Sequence, residues 1–294
     1  MPLLPVELIL TVFEYLQDDL GSLSSCSLVC HEWVHLARQY LFAVTNTTLP
    51  PSPKGKPHRL PQSIISIIYG TSIRVGYIKK LRIEGDHRYH PHQAATLQGS
   101  VIYQLVAKLP KLQSLQFINV PIALIEPIDG NIGLSLKSLE LRYGDVTVGD
   151  LVTSTAVVLQ LFPAIETLYI IAEHPTKRMR FNGFREPEVH RLHGVRIGHL
   201  RLDVMPVQFR QLHDLFDIGC SVGTISLQPH MTQWVHARDF GLMIRDISTK
   251  IVSLTLSHWE PYTIFLRLNS TRKLILSIHT TCNGASATYL TMIY

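Results

Sequence analysis

Residues 31–35 read His31-Glu32-Trp33-Val34-His35, an H-E-x-x-H. On a helix, positions four apart share a face. The pattern therefore sets two imidazoles one turn apart beside a carboxylate. That arrangement holds zinc and supplies a general base for peptide hydrolysis. Thiols stand close by: Cys30 precedes His31, with Cys26 in C-x-x-x-C spacing before it.

Zinc hydrolysis needs a third protein ligand and a shaped cleft. The longer pattern H-E-x-x-H-x-x-G-x-x-H fails, with Arg38 at the glycine position and Leu41 at the third histidine. The next acid downstream is Glu84, beyond a proline-rich stretch, and only thirty residues precede the motif. The four cysteines, Cys26, Cys30, Cys220 and Cys282, form no disulfide framework and read as core thiols. A zinc peptidase acting through His31, Glu32 and His35 is thus a remote alternative. The expectation is a chain with no catalytic residue, no metal and no cofactor. No nucleophile elbow, phosphate loop or dinucleotide fingerprint occurs elsewhere in the sequence.

The element that carries the motif is a helix with a different logic. In "HEWVHLARQYLF", Trp33, Leu36, Ala37, Tyr40 and Leu41 fall at i, i+3, i+4, i+7 and i+8, one apolar face. His31, Glu32, His35, Arg38 and Gln39 fall on the other side. Two short helices precede it. "LPVELILTVFEYLQ" has Pro5 suited to a first turn and a stripe of Leu8, Ile9, Val12, Phe13 and Leu16. Asp18 and Asp19 then give a turn and a cap before "LGSLSSCSLV". Three short helices cannot enclose Leu4, Pro5, Leu8, Ile9, Val12, Phe13, Leu16, Leu20 and Leu23 together. The surplus apolar surface predicts a partner.

This stretch resembles the F-box, whose pattern opens L-P-x-E-[IL]-[IL] and closes on V-C-x-x-W. Here those positions are Leu4, Pro5, Glu7, Leu8 and Ile9, then Val29, Cys30 and Trp33. The resemblance implies docking on a Skp-family adaptor, and through it a cullin, within a ubiquitin ligase. It adds Val29 and Trp33 to the expected adaptor-binding residues.

Beyond residue 42 the composition changes. Pro50, Pro51, Pro53, Pro57 and Pro61 mark residues 43–61 as a linker, and a short helix is expected over 62–69. From there eight segments repeat an apolar-x-apolar centre, beginning at Leu81, Leu115, Leu139, Leu168, Leu200, Ile225, Leu254 and Leu274. Helical stretches such as "VGDLVTSTAVVLQLF" and "MTQWVHARDFGLMIRDIS" lie between them. The alternation resembles leucine-rich repeats, stacked so that each unit buries a face it cannot bury alone. An ordinary parallel α/β domain shares much of this pattern. The fold expected is α/β overall: a three-helix F-box at 1–42, an irregular leucine-rich-repeat solenoid over 62–280, and an irregular tail at 281–294. With the F-box, the pattern resembles F-box proteins of basidiomycete fungi.

In such a repeat the residues flanking each leucine face outward on the strands. They include Lys80, Arg82, Glu84, Gln116, Glu140, Arg142, Tyr169, Arg201, Asp203, Gln228 and Lys273. Arginine and tyrosine are enriched in binding hot spots. Arg82, Arg142, Tyr169 and Arg201 are therefore the candidates for holding a protein substrate, one carrying acidic or phosphorylated groups. The function implied is a substrate receptor of a Skp–cullin–F-box ubiquitin ligase. A scaffold acting outside any ligase is the alternative.

Charge and composition bound the rest. Residues 1–42 carry five acids against Arg38, a charge of −4, so the remainder of this net +5 chain is basic. No Lys/Arg-rich run or aromatic RNA-binding signature accompanies that excess, which argues against nucleic acid. No apolar run reaches the ~18 residues that cross a membrane. Glu7 and Glu14 interrupt the N-terminal apolar stretch, which has no basic flank and so does not read as a signal peptide. The expected location is cytoplasm, nucleus or both, with the sequons at Asn46 and Asn269 unused.

Overall fold

A computed structural model describes residues 5–50, 60–70, 73–85, 96–123, 133–144, 148–172, 194–204, 212, 215–216, 220–227, 253–257, 274–282 and 285–293. Three helices come first: α1 (Val6–Tyr15), α2 (Leu20–Cys26) and α3 (His31–Leu41). The Pro5 carbonyl accepts from the Leu8 and Ile9 N–H groups and starts α1. Asp19 caps α2, its carboxylate accepting from the Ser22 N–H at 3.0 Å and from the Ser22 hydroxyl at 2.6 Å. Those two bonds, to the hydroxyl first, hold the Asp19 carboxyl below its ordinary range. Phe13 centres the small core of this head. Its ring meets Trp33 edge-on at 5.5 Å and Tyr40 at 6.2 Å, with Ile9, Leu23 and Ala37 around it.

β1 (Val44–Leu49) follows α3 almost at once and pairs in parallel with β2 (Lys80–Gly85). The sheet therefore begins inside the segment expected to be linker. The reason is local. Residues 44–49 read Val-Thr-Asn-Thr-Thr-Leu, dominated by β-branched side chains, and the prolines start only at Pro50. Residues 51–59 lie outside the described set. α4 (Gln62–Tyr69) sits where a helix was expected and buries Ile64, Ile67 and Ile68. A 3-10 turn, Ile73–Tyr77, leads into β2.

β3 (Leu97–Gln98), α5 (Gly99–Ala107), β4 (Ser114–Ile118), β5 (Ile122–Ala123), β6 (Leu136–Tyr143), α6 (Val148–Leu159), β7 (Ala164–Ala172), β8 (Val195–Asp203) and β9 (Cys220–Leu227) continue the chain. It ends in β10 (Ser253–Ser257), β11 (Leu274–Cys282) and β12 (Ala285–Ile293). Among the described residues, ten strands form one sheet in the order β1-β2-β4-β6-β7-β8-β9-β10-β11-β12, parallel until the last pair. β3 and β5 make a second, two-stranded ladder.

All eight apolar-x-apolar segments are strands. Leu81, Leu115, Leu139, Leu168, Leu200 and Ile225 pair in direct register across six strands, and every one is buried. Ile83, Phe117, Leu141, Ile170 and Leu202 form the next buried row. This face packs into one core with α4, α5 and α6. Ser154 of α6 ties that layer to β5, its hydroxyl accepting from the Ile122 N–H at 2.9 Å.

Two expectations about the C-terminal part change. Leu254 pairs with Leu276, so the eighth central leucine is Leu276, not Leu274. In "LILSI" either leucine fits the alternation, and only the neighbouring strand selects one. Residues 285–293, expected within an irregular tail, are β12, antiparallel to β11 from Leu274↔Ile293 to Cys282↔Ala285. Asn283-Gly284 stands between the strands in sequence, a residue pair that favours two-residue hairpins. The stretch "MTQWVHARDFGLMIRDIS" lies outside the described residues. Among the described residues, no helix is long and apolar enough to cross a membrane.

Glycines let three strands come close together. A methyl on Gly198 would stand 2.7 Å from the Glu166 carbonyl oxygen, and one on Gly223 would stand 2.6 Å from that of Gly198. Backbone, not a movable side chain, is the obstacle. Gly198→Ala is expected to destabilise the sheet by about 1–3 kcal/mol, the range for overpacked positions. A denaturant midpoint unchanged from wild type would show that the strands separate at no cost.

Candidate functional site

The head exposes an apolar stripe on α1. Leu8 is 54% exposed, Val12 50% and Tyr15 93%, at i, i+4 and i+7, with exposed Pro5 at the start of the same stripe. Leu20 at the start of α2 adds to the exposed apolar surface. So do Leu28 at 85% and Val29 at 65%, just before α3. Glu7 and Glu14 lie exposed beside the α1 stripe.

Helical phase sorts the residues expected to bind an adaptor. Pro5, Leu8, Val12, Leu20 and Val29 are on the surface. Ile9, Phe13 and Leu23 are not: they form the head's own core. Leu16 and Trp33 are half-buried against that core, and Leu4 lies outside the described residues. The stripe read as single from sequence is in fact two adjacent ones. The Ile9, Phe13 and Leu16 side turns in, and the Leu8 and Val12 side turns out. Sequence reasoning missed Val6, Tyr15 and Leu28, all exposed. Tyr15 continues the Leu8 and Val12 spacing, which was the available signal. Tyr40 closes the inner side, its hydroxyl donating to the Leu10 carbonyl at 3.4 Å. Burial, and then the Glu14 carboxylate, push that phenol upward.

His31, Glu32 and His35 project from the exposed side of α3, and the two imidazole centroids lie 5.2 Å apart. Cys30 Sγ faces Glu32 Oε2 at 4.0 Å. Among the described residues, no three His, Cys, Asp or Glu side chains gather to hold a metal. The third ligand that hydrolytic zinc requires is therefore missing from the described part.

A second surface is the sheet face opposite the helices. Side chains alternate across a strand, so the residues between the buried leucines share this face. One row runs Arg82, Gln116, Glu140, Tyr169, Arg201 and Ser226, and a second runs Glu84, Ile118, Arg142, Ile171 and Asp203. The structure thus brings Arg82, Arg142, Tyr169 and Arg201 to one face, with Arg142 one row over. Gln228 and Lys273 lie outside the described residues.

The charges on this face are organised. Arg82 Nη2 meets Glu84 Oε2 at 2.9 Å, and Glu140 accepts from Arg142 at 3.0 Å and from Gln116 at 3.1 Å. Arg201 lies over the Tyr169 ring, 5.9 Å from its centroid. His199 bridges two hydroxyls, with Nδ1 at 2.6 Å from Thr224 Oγ1 and Nε2 at 3.2 Å from Ser226 Oγ. Burial, and then the Arg201 charge, lower the His199 pKa. Such a face is polar, and Arg82, Arg142 and Arg201 each lie against a neighbouring side chain. The partnering also tempers the expected preference for acidic groups, because Glu84 and Glu140 already face Arg82 and Arg142.

At the start of β9, burial pushes the Cys220 thiol up to about 11. Thiolate is the reactive form. In the native chain at pH 8, iodoacetamide is expected to modify exposed Cys30 about tenfold or more faster than Cys220. Equal rates by peptide mass mapping would contradict that burial.

No curated protein and no solved structure matches the chain. The three-helix head, with its inward phenylalanine and outward apolar stripe, lies within residues 1–43, which match the family model described as F-box-like.

Proposed function

We propose that this chain is a substrate-receptor subunit of a Skp–cullin–F-box ubiquitin ligase. Its head docks on a Skp-family adaptor, and its sheet face holds a target protein. The chain itself performs no chemistry in this reading. An F-box-like domain at residues 1–43 supports a role in ubiquitin-ligase substrate recognition, since F-box domains generally bind Skp-type adaptors.

The observation that carries the reading is the exposed stripe of Leu8, Val12 and Tyr15, beside the matched domain's own closed core. Association costs on the order of 4–15 kcal/mol before any contact is gained. Each fully buried apolar side chain returns about 1.5–3 kcal/mol. Exposed Val6, Leu8, Val12, Tyr15, Leu20, Leu28 and Val29 of the head are the anchors available against that cost. For the body, sequential parallel strands with helices packed on one side support a leucine-rich-repeat architecture, in which the open face receives the target. Arg82, Arg142, Tyr169 and Arg201 are its proposed contacts.

The test is co-expression of the full chain with a Skp-family adaptor. A stable stoichiometric complex that also recruits a cullin is expected. Absence of any complex with folded wild-type chain overturns the proposal. A complex that never recruits cullin limits the chain to a scaffold.

A further inference from the structure

The geometry points to His31 and His35 as a two-histidine clamp for a divalent transition metal on the outer side of α3. Both side chains are exposed, four residues apart on one helix face, with ring centroids at 5.2 Å and ring planes at 78°. Imidazole nitrogen suits nickel, zinc and copper, whereas magnesium and calcium prefer oxygen ligands. A cation bridging the two rings takes one nitrogen from each, and water completes its shell. With two protein ligands, the site is labile and open, unlike a closed structural zinc site or a three-ligand catalytic one. Cys30 and Glu32 face each other beside the clamp, so the thiol is the competing donor to exclude.

The clamp has a mechanical consequence. His31 is the first residue of α3 and His35 lies one turn on, so a bridging metal ties down the opening turn. That turn carries Trp33, which packs on Phe13, and follows exposed Leu28 and Val29. Metal that binds only the folded helix stabilises the head by mass action. The clamp does not depend on adaptor binding, and either can fail alone.

The experiment is calorimetric titration of the full, chelator-stripped chain with nickel chloride in a thiol-free reductant. The sequence holds fifteen histidines, so the readout is a difference. Wild type is expected to bind one more equivalent than His31→Gln and one more than His35→Gln, while Cys30→Ser keeps that equivalent. At nickel a hundredfold above its Kd, the unfolding constant of the wild-type head falls about 100-fold, and neither histidine variant responds. Magnesium has no effect on any of them. Both histidines are exposed, so the metal-free variants should keep the wild-type circular dichroism. A measurement on wild type alone guards against misfolding: nickel should broaden the imidazole proton signals of His31 and His35 first. Equal stoichiometry in wild type and both histidine variants overturns the clamp. So does loss of the equivalent in Cys30→Ser, or broadening confined to other histidines.

Discussion

Aspartate at both Leu8 and Val12 is expected to abolish capture of a Skp-family adaptor while the chain stays folded. Both side chains are half exposed and lie outside the buried cluster formed by Ile9, Phe13, Leu23 and Ala37. Surface changes away from core or network features usually cost within about 0.5 kcal/mol. In a complex the same positions are anchors. Half exposed, each has about half of the 1.5–3 kcal/mol of full burial left to gain, so losing both removes about 1.5–3 kcal/mol, or one to two powers of ten in affinity. Burying a carboxylate where leucine packed adds to that loss. Calorimetric titration of the variant against adaptor measures it, with a thermal melt as control. Wild-type affinity in the variant would remove α1's outer stripe from the interface.

The second large effect separates folding from binding at the neighbouring helix position. Phe13→Ala is expected to destabilise the head by about 3–5 kcal/mol, the usual cost of deleting a buried phenylalanine. The ring is fully buried and organises Trp33 and Tyr40 edge-on around itself. A head of about forty residues has little stability to spare. It is therefore expected to melt while the sheet, with its separate core, remains. The near-UV signal of Trp33 and the helical circular dichroism should fall, and adaptor binding should go with them. A melting temperature within about 2 °C of wild type would mean that Phe13 is not the keystone of this core. The variant with aspartate at both Leu8 and Val12 and the Phe13→Ala variant thus both lose the adaptor, and only the second loses helix.

Much of this architecture is legible in the residues. The i, i+3, i+4 spacing of Trp33, Leu36, Ala37, Tyr40 and Leu41 gives α3 its inward face, and Pro5 and Asp19 mark where α1 and α2 begin. The L-x-L centres of β2, β4, β6, β7 and β8 carry their register in their spelling, because their leucines stand opposite one another. Flanking parity also places Arg82, Arg142, Tyr169 and Arg201 on one face. β1 was hidden because the prolines after it dominate the composition of the window. β12 was hidden because a hairpin partner continues no repeat.

Helical period and strand alternation are properties of one segment, so the sequence alone determined most of the elements, β1 and β12 apart, and which residues of each share a side. It also showed that His31 and His35 lie together, for the same reason. Which of two neighbouring stripes turns inward depends on what the other helices leave room for. Only the tertiary structure decided that Phe13 fills the space between Trp33 and Tyr40, leaving Leu8, Val12 and Tyr15 outside. Pairing is likewise a property of two strands. Only the sheet could choose Leu276 over Leu274 and set Gln116 of β4 against Glu140 of β6.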